Sequence, residues 1–109
     1  MLEIKNSKTG KALQVADKDL ENTMDWFSAK NGCTDLGSGW RLPTLEELNI
    51  MYEDLHLKRK GNFQKDGGYW SVSEEGERSA WGFNFKRGGY YSCFKSNGLT
   101  YVRAVRVIE

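Results

Sequence analysis

The sequence predicts an α+β domain with an antiparallel sheet, and the order of its strand-like and helical segments indicates this class. Short strand-like segments come first, two helical segments follow, and only strand-like segments remain after residue 68. This segregated order favours an antiparallel sheet over the strand–helix–strand repeats of a parallel one. The chain has 109 residues, which is the length of a single domain spanning residues 1–109. Twelve glycines against one proline indicate many tight turns.

The N-terminal part predicts a strand hairpin followed by a helix. Apolar and charged residues alternate in residues 2–5, as in a half-buried strand, and residues 12–15 supply a partner strand. Across residues 20–32, apolar side chains recur at helical spacing, namely those of Leu20, Met24, Trp26 and Phe27. We expect this helix to end at Gly32, because glycine often follows the last helical turn.

A second helix is predicted over residues 45–55. Thr44 and Glu47 form a capping box, in which each side chain accepts a backbone N–H that the first turn leaves unpaired. Pro43 suits this entry, because the residue before a proline avoids helical geometry. The apolar stripe expected to face the core consists of Leu45, Leu48 and Met51.

The second half of the chain contains only strand signals. The glycine pair at residues 88–89 lies between two strand-like segments and predicts a hairpin. Most of the sheet is therefore expected from this half of the chain. Its candidate strands are residues 69–73, 80–85, 90–94 and 101–108.

Charge and composition exclude several functions. Lysines and arginines total 16 against 15 aspartates and glutamates, so the chain lacks the dense positive charge of a sequence-specific nucleic-acid binder. No apolar stretch is long enough to span a membrane. A structural zinc site lacks ligands, since the candidates are one histidine, His56, and two cysteines, Cys33 and Cys93. These cysteines are either free or joined in one long-range disulfide.

Four phrases, in a fixed order, resemble one family. The strongest is Gly-Trp-Arg-Leu-Pro-Thr at residues 39–44, with Glu-Glu-Leu at residues 46–48. The others are Tyr-Trp-Ser-Val-Ser-Glu at 69–74, Ala-Trp-Gly-Phe-Asn-Phe at 80–85 and Tyr-Val-Arg-Ala-Val-Arg at 101–106. The set resembles a bacterial domain of unknown function that forms the C-terminus of the Legionella collagen-like adhesin and occurs in many bacterial surface proteins.

The resemblance implies a C-type-lectin-like fold, distantly similar to the formylglycine-generating enzymes. In this fold two helices pack on a twisted antiparallel sheet, and the N- and C-terminal strands are adjacent. The resemblance also implies a module for adhesion or ligand binding that is often one part of a larger protein. An extracytoplasmic location, at the cell surface or in the periplasm, is therefore expected, although residues 1–5 show no signal-peptide core.

The sequence lacks several residues that other members of the family or its distant relatives use for a disulfide, for calcium binding or for catalysis. Many members bridge a cysteine at the end of the first helix to one in the last motif. Cys33 fits the first position, but Ala104 stands at the second, so a Cys33–Cys93 bridge is left as the alternative to free thiols. The Glu-Pro-Asn, Gln-Pro-Asp and Trp-Asn-Asp sequences of calcium-dependent lectins are absent, as is the cysteine pair of the formylglycine-generating enzymes. We expect no enzyme activity, no cofactor and no bound metal.

Several motif residues are interpreted as structural. Arg41, Arg103 and Arg106 have apolar neighbours, so a buried guanidinium among them needs several acceptors. Glu46, Glu47 or backbone carbonyls are expected to supply these acceptors. The other residues interpreted as structural are the cap residue Thr44 and three tryptophans expected in the core, Trp40, Trp70 and Trp81.

The segment around the glycine pair contains the candidate binding residues. Tyr90 and Tyr91 are adjacent in a predicted strand, so they point to opposite faces and at most one enters the core. An exposed tyrosine beside cations offers a stacking surface and hydrogen-bond donors for sugar rings or a protein epitope. The candidate ligand-binding residues are Lys86, Arg87, Tyr90, Tyr91, Lys95 and Asn97.

The sequence therefore predicts a non-enzymatic module for ligand binding or adhesion that recognises a glycan or a protein without calcium. One alternative is a structural or assembly subunit of a fimbrial, phage or envelope complex, which would form a homo-oligomer. Another is a cysteine-dependent enzyme or redox protein that uses Cys33 or Cys93. The charged runs at residues 58–60 and 74–77 are interpreted as solvated loops rather than as sites for an anionic polymer or a cation.

Overall fold

A computed structural model describes residues 2–108, which form six strands and two helices. The strands are β1 (Leu2–Lys5), β2 (Ala12–Val15), β3 (Gly68–Glu74), β4 (Ser79–Asn84), β5 (Gly89–Phe94) and β6 (Val105–Val107). The helices are α1 (Trp26–Thr34) and α2 (Leu45–Asp54), and a 3₁₀ turn at His56–Lys58 follows α2. The predicted α+β class is confirmed. Within the described part of the chain, neither helix is long and apolar enough to cross a membrane.

The strands form two antiparallel sheets of three strands each. The strand order is β1-β2-β6 in the first sheet and β3-β4-β5 in the second. The last strand pairs with β2, so the N-terminal hairpin and the C-terminal strand share a sheet, as expected. Where the resemblance implied one sheet there are two, and residues 101–105 connect them, because Tyr101 bridges to Tyr69 of β3 and Val105 begins β6. A C-type-lectin-like topology stays a prediction.

A helix covers each face of the second sheet. Tyr69 and Trp70 are adjacent on β3 and point to opposite faces, and both are fully buried. Tyr69 belongs to a core cluster that contains Leu48 of α2, whereas Trp70 belongs to a second cluster that contains Trp26 of α1. The first cluster also includes residues of the first sheet, so α2 packs against both sheets.

Helix α2 begins with the capping box that the sequence predicts. Thr44 Oγ1 accepts the N–H of Glu47 at 3.1 Å, and Glu47 Oε1 accepts the N–H of Thr44 at 2.9 Å. Arg41 Nη1 and Nη2 donate to the two carboxylate oxygens of Glu47 at 2.7 and 2.9 Å. Burial alone would raise the pKa of Glu47, but hydrogen bonds from Arg41 and Thr44 hold it below its ordinary value. This pair ties the Gly-Trp-Arg phrase to the start of the helix.

Helix α1 is shorter at its start than predicted and extends beyond the expected end, since it spans Trp26–Thr34. Residues 20–24 are not helical, because their backbone bonds to the C-terminal segment. The N–H of Leu20, for example, donates to the carbonyl of Val102 at 2.9 Å. Gly32 lies inside the helix, and a Cβ there would lie 2.8 Å from Leu20 Cδ1. Glycine leaves room for the Leu20 side chain at this position, and its predicted role as the helix end was wrong.

The last predicted strand is also shorter, since only Val105–Val107 is in a sheet. The carbonyls of residues 102 and 104 accept N–H groups from residues 16–20 rather than from a strand. Arg103, between them, is 1% exposed, and its Nε donates to Asp19 Oδ1 at 2.8 Å. Its other nitrogens donate to backbone carbonyls. The acceptors of Arg103 are thus an aspartate and main-chain oxygens, not the glutamates at the start of α2.

Candidate ligand-binding site

The turn between β4 and β5 is held by Asn84. Its Oδ1 accepts the N–H groups of Lys86 at 2.8 Å and Arg87 at 3.2 Å. Its carbonyl accepts the N–H of Gly88 at 2.8 Å. Gly88 has a φ of +74°, and a Cβ there would collide with the ring of Tyr52, so only glycine fits. The turn is therefore ordered and carries two cationic residues at one end of the second sheet.

The two tyrosines of β5 point to opposite faces, as predicted. Tyr90 is 66% exposed and packs edge-on against Trp81, with 5.4 Å between the ring centroids. Tyr91 covers Gly82 and Gly68 on the neighbouring strands, and a Cβ at Gly68 would overlap its hydroxyl group. Burial raises the pKa of Tyr91 to about 12, so this hydroxyl stays protonated at neutral pH.

An open cleft of about 440 Å³ lies at this end of the hairpin. The side chains of Lys86 and Arg87 are exposed and have no ion-pair or hydrogen-bond partner within residues 2–108. The hydroxyl of Tyr91 likewise has no hydrogen-bond partner in this range. The cleft thus combines aromatic walls with unused donors and two free cations. It is lined by Asn84, Lys86, Arg87, Gly89, Tyr90 and Tyr91.

Lys95 and Asn97, two of the six candidate binding residues, lie apart from this cleft. Strand β5 runs away from the turn, and its last residue, Phe94, pairs with Ser79 at the opposite end of the sheet. Lys95 is buried there, with its Nζ 3.0 Å from Glu74 Oε2 and 4.6 Å from the ring centroid of Trp26. Asn97 is exposed in the following turn, where its Oδ1 accepts the N–H of residue 99 at 2.8 Å.

The tryptophans divide between core and surface. Trp70 is fully buried, as expected, and its Nε1 donates to the carbonyl of Met24 at 2.8 Å. Trp40 and Trp81 are only half-buried; Trp40 packs against the core cluster that contains Trp26 and Trp70, whereas Trp81 lies outside both core clusters, which corrects its placement in the core. Trp40 lies under the guanidinium of Arg106, whose carbon is 4.7 Å from the ring centroid. The ring of Trp81 packs edge-on against that of Tyr90.

The cysteines and the histidine lie on opposite sides of the second sheet. Cys33 and Cys93 are both free thiols. Burial raises the pKa of Cys33 to about 12 and also raises the pKa of Cys93. Cys33 lies in the core cluster that contains Trp26 of α1. His56 lies on the other side of the second sheet, where it stacks on Tyr52 of α2 and contacts Phe85. In residues 2–108, no group of three or more His, Cys, Asp or Glu side chains could hold a metal ion.

A larger open cleft, of about 650 Å³, was not predicted from the sequence. It lies beside residues 56–65, which include part of the basic run interpreted as a solvated loop. Arg59 and Asn62 have positive φ angles of 60° and 50°, which turn the chain back on itself here. The one signal in the sequence was the grouping of cations around Gly61. The cations that line this cleft are Arg59, Lys60 and Lys65.

Comparison with known proteins identifies a family. No curated protein matches the chain. The family model of the Lcl C-terminal domain matches residues 5–106, which extend from the end of β1 into β6. This range includes all four phrases on which the resemblance was based, as well as the β4–β5 hairpin and its cleft. The protein therefore belongs to the Lcl C-terminal domain family, a bacterial family associated with adhesins.

Proposed function

We propose that the protein is a non-enzymatic module that binds a glycan or protein ligand at the end of the β4–β5 hairpin, without calcium. The observation that carries this proposal is the cleft between the β4–β5 turn and the two tyrosines. It brings together four of the residues selected from the sequence, Lys86, Arg87, Tyr90 and Tyr91. Membership of an adhesin-associated family supports a role in binding.

The side chains of this cleft suit a ligand with a flat face and polar substituents. Tyr90 offers an exposed ring for stacking, and such rings lose little conformational entropy when they bind. Lys86 and Arg87 supply donors that no carboxylate of residues 2–108 neutralises. Because Asn84 and Gly88 hold the turn, the cleft is formed before the ligand arrives, which lowers the cost of binding.

The residues that line the cleft support recognition without calcium. Calcium takes six to eight oxygen ligands in proteins, with carboxylates prominent among them. The residues that line the cleft include no aspartate or glutamate. A ligand therefore meets nitrogen donors and aromatic rings directly.

A non-enzymatic role is supported by the state of the thiols. A cysteine nucleophile acts as a thiolate and needs a lowered pKa. Burial has the opposite effect on Cys33, whose pKa rises to about 12. The histidine that would activate it lies on the other side of the second sheet.

Binding to glycan and protein arrays tests the proposal. We expect Tyr90→Ala, and separately the Lys86→Glu/Arg87→Glu pair, to weaken binding of any array ligand by at least about tenfold, through loss of stacking and of charge-assisted hydrogen bonds. Phe27→Ala is the matched control for an exposed aromatic residue, because Phe27 is 56% exposed on α1. Lys58→Glu is the control for charge reversal. Ligand binding that survives both cleft variants unchanged would reject this site.

An assembly role is the second candidate, and one observation favours it. Phe94 and Leu99 are 70% and 80% exposed at the opposite end of the sheet from the cleft. Large exposed apolar side chains often mark protein contacts. Light scattering separates the two functions, because an assembly subunit shows a mass that rises with concentration, whereas the proposed binding module remains a monomer.

A further inference from the structure

The outer edge of β5 is open, whereas the other edge of the same sheet is covered. On β3, Trp70 N–H donates to the carbonyl of Tyr101 at 3.0 Å, and Val72 N–H donates to the carbonyl of Pro43 at 2.8 Å. Strand β5 pairs with β4 alone among the described strands. No hydrogen bond formed within residues 2–108 reaches the outer edge at Tyr90 or Ser92. A row of main-chain donors and acceptors therefore faces solvent.

The hydrogen-bond register identifies the open groups. Just beyond β5, the N–H of Lys95 donates to the carbonyl of Arg78 at 2.8 Å, across the hairpin. In an antiparallel pair, alternate residues bond to the partner strand and the intervening residues point outward. Residues 89, 91 and 93 therefore bond to β4. The outward groups are the N–H and carbonyl of Tyr90 and Ser92 and the N–H of Phe94.

The side chains of these same three residues lie on one face of the strand and are exposed. Tyr90 and Phe94 are 66% and 70% exposed, and Ser92 lies between them. An open edge with large aromatic side chains at alternate positions is a surface onto which another extended chain can pair. In such a pairing, hydrogen bonds between the two main chains supply affinity, and the rings of Tyr90 and Phe94 contact alternate side chains of the added chain.

The free cations lie at the start of this edge. Lys86 and Arg87 come immediately before β5, in the turn that forms the cleft. An extended chain that continues the antiparallel order runs from Phe94 towards Gly89, so its C-terminal end arrives beside these cations. Acidic residues there would be paired, whereas basic ones would be repelled.

We propose that the ligand is an extended polypeptide segment that adds to β5 as a fourth, antiparallel strand. The segment has apolar side chains at alternate positions, which contact Tyr90 and Phe94, and acidic residues at its C-terminal end, which meet Lys86 and Arg87. This inference rests on the proposed function and specifies it, since a polypeptide has main-chain N–H and carbonyl groups spaced to match the open edge and a glycan does not.

Selection of a displayed library of random peptides against the intact chain tests this proposal. We expect the enriched peptides to alternate apolar with other residues and to end in aspartate or glutamate. Ser92→Pro should weaken their binding by at least about tenfold, because it removes an outward N–H and inserts a ring into the edge. It removes no bond to β4, so the fold should persist. Ser92→Ala is the matched control and should bind as the original chain does.

Hydrogen exchange gives a readout that does not depend on affinity. The amides of Tyr90 and Ser92 should exchange freely in the unbound chain and become protected when an enriched peptide is bound. The inference is overturned if no peptide is enriched, if enriched peptides bind the Ser92→Pro variant equally well, or if these amides stay unprotected.

Other outcomes separate this inference from the proposed function. An array glycan that depends on Tyr90 and Lys86 but is indifferent to Ser92→Pro would overturn the strand-addition model and leave the cleft as the site. A dimer that Ser92→Pro dissociates in light scattering would also overturn it, since the edge would then take a second copy. If the enriched peptides bound the Tyr90→Ala, Lys86→Glu and Ser92→Pro variants as tightly as the original chain, both proposals would be overturned.

Discussion

The β4–β5 hairpin has a lysine near each end, and the two lysines have opposite surroundings. At the turn end, Lys86 is exposed and lies beside a cleft. At the far end, Lys95 is buried, bonds to Glu74 and to the carbonyl of Glu77, and lies over the ring of Trp26. The first is free to meet a ligand, whereas the second holds α1 and the β3–β4 turn against the end of β5.

This difference shows that a cation is available for binding only where the fold offers it no partner. At the turn end of the hairpin, neither Lys86 nor Arg87 forms an ion pair with an acidic residue of the described chain. At the far end, Lys95 packs against Trp26 of α1 and bonds to the acidic turn between β3 and β4. We therefore expect variants at the far end to change stability and variants at the turn end to change binding.

The largest effect is expected for Lys95→Ala. It removes two charge-assisted hydrogen bonds and a cation–π contact from a buried position, and should lower the free energy of unfolding by about 3 kcal/mol. Lys86→Ala is the control and should change it by less than about 0.5 kcal/mol. Urea denaturation measures both. If both variants lowered the free energy of unfolding equally, Lys95 would not have the stabilising role that its buried contacts indicate.

A smaller effect is expected for Gly68→Ala at the turn end. The added methyl group overlaps the ring of Tyr91, which must move, at a cost of about 2 kcal/mol. In a Tyr91→Ala background the cost should largely disappear, because the space is then free. Gly89→Ala is the control, since nothing lies within 4 Å of a Cβ there. If Gly68→Ala lowered the free energy of unfolding equally in both backgrounds, the packing of Tyr91 on Gly68 would be refuted.

The smallest effect concerns the thiol of Cys93, close to the buried lysine. Burial raises its pKa, so less thiolate is present at pH 8 than in an unfolded chain, and iodoacetamide should react several-fold more slowly. Below this raised pKa, the rate should increase about tenfold per pH unit, because the thiolate fraction does. Lys95→Ala should accelerate the reaction by loosening this end, and Lys86→Ala should not.

Peptide mapping by mass spectrometry follows the labelling of each cysteine separately. Cys33 is the internal control, because its pKa of about 12 and its full burial should leave it unlabelled until the chain unfolds. Rapid labelling of Cys93 in the original chain would show that this end is open.

Local signals made several elements predictable from the sequence. The capping box of α2 depends on Thr44 and Glu47, which are three positions apart, and it is present. The β4–β5 hairpin depends on its glycine turn, and the opposite directions of Tyr90 and Tyr91 depend on strand alternation alone. In each case the residues that decide the geometry are close together in the chain.

Signals that depend on distant residues were misread. The spacing of Leu20 and Met24 resembles that of a helix, but their backbone bonds to residues 100–102. Gly32 resembles a helix end, yet it lies inside α1, against the side chain of Leu20. The open edge of β5 was not predicted either, because the sequence does not show which strand lies at the edge of a sheet.

The class of the fold, the family and the turn that carries the candidate site are all present in the chain as short-range patterns of period, cap and motif. Which lysine is free, which tryptophan is buried and which strand edge is open depend on packing between segments far apart in sequence. Lys95 is buried because α1 places Trp26 beside it, and β5 is open because the backbone of Tyr101 bonds to β3, at the opposite edge of the sheet. Burial and pairing are properties of neighbours in space, and those neighbours exist only once the chain has folded.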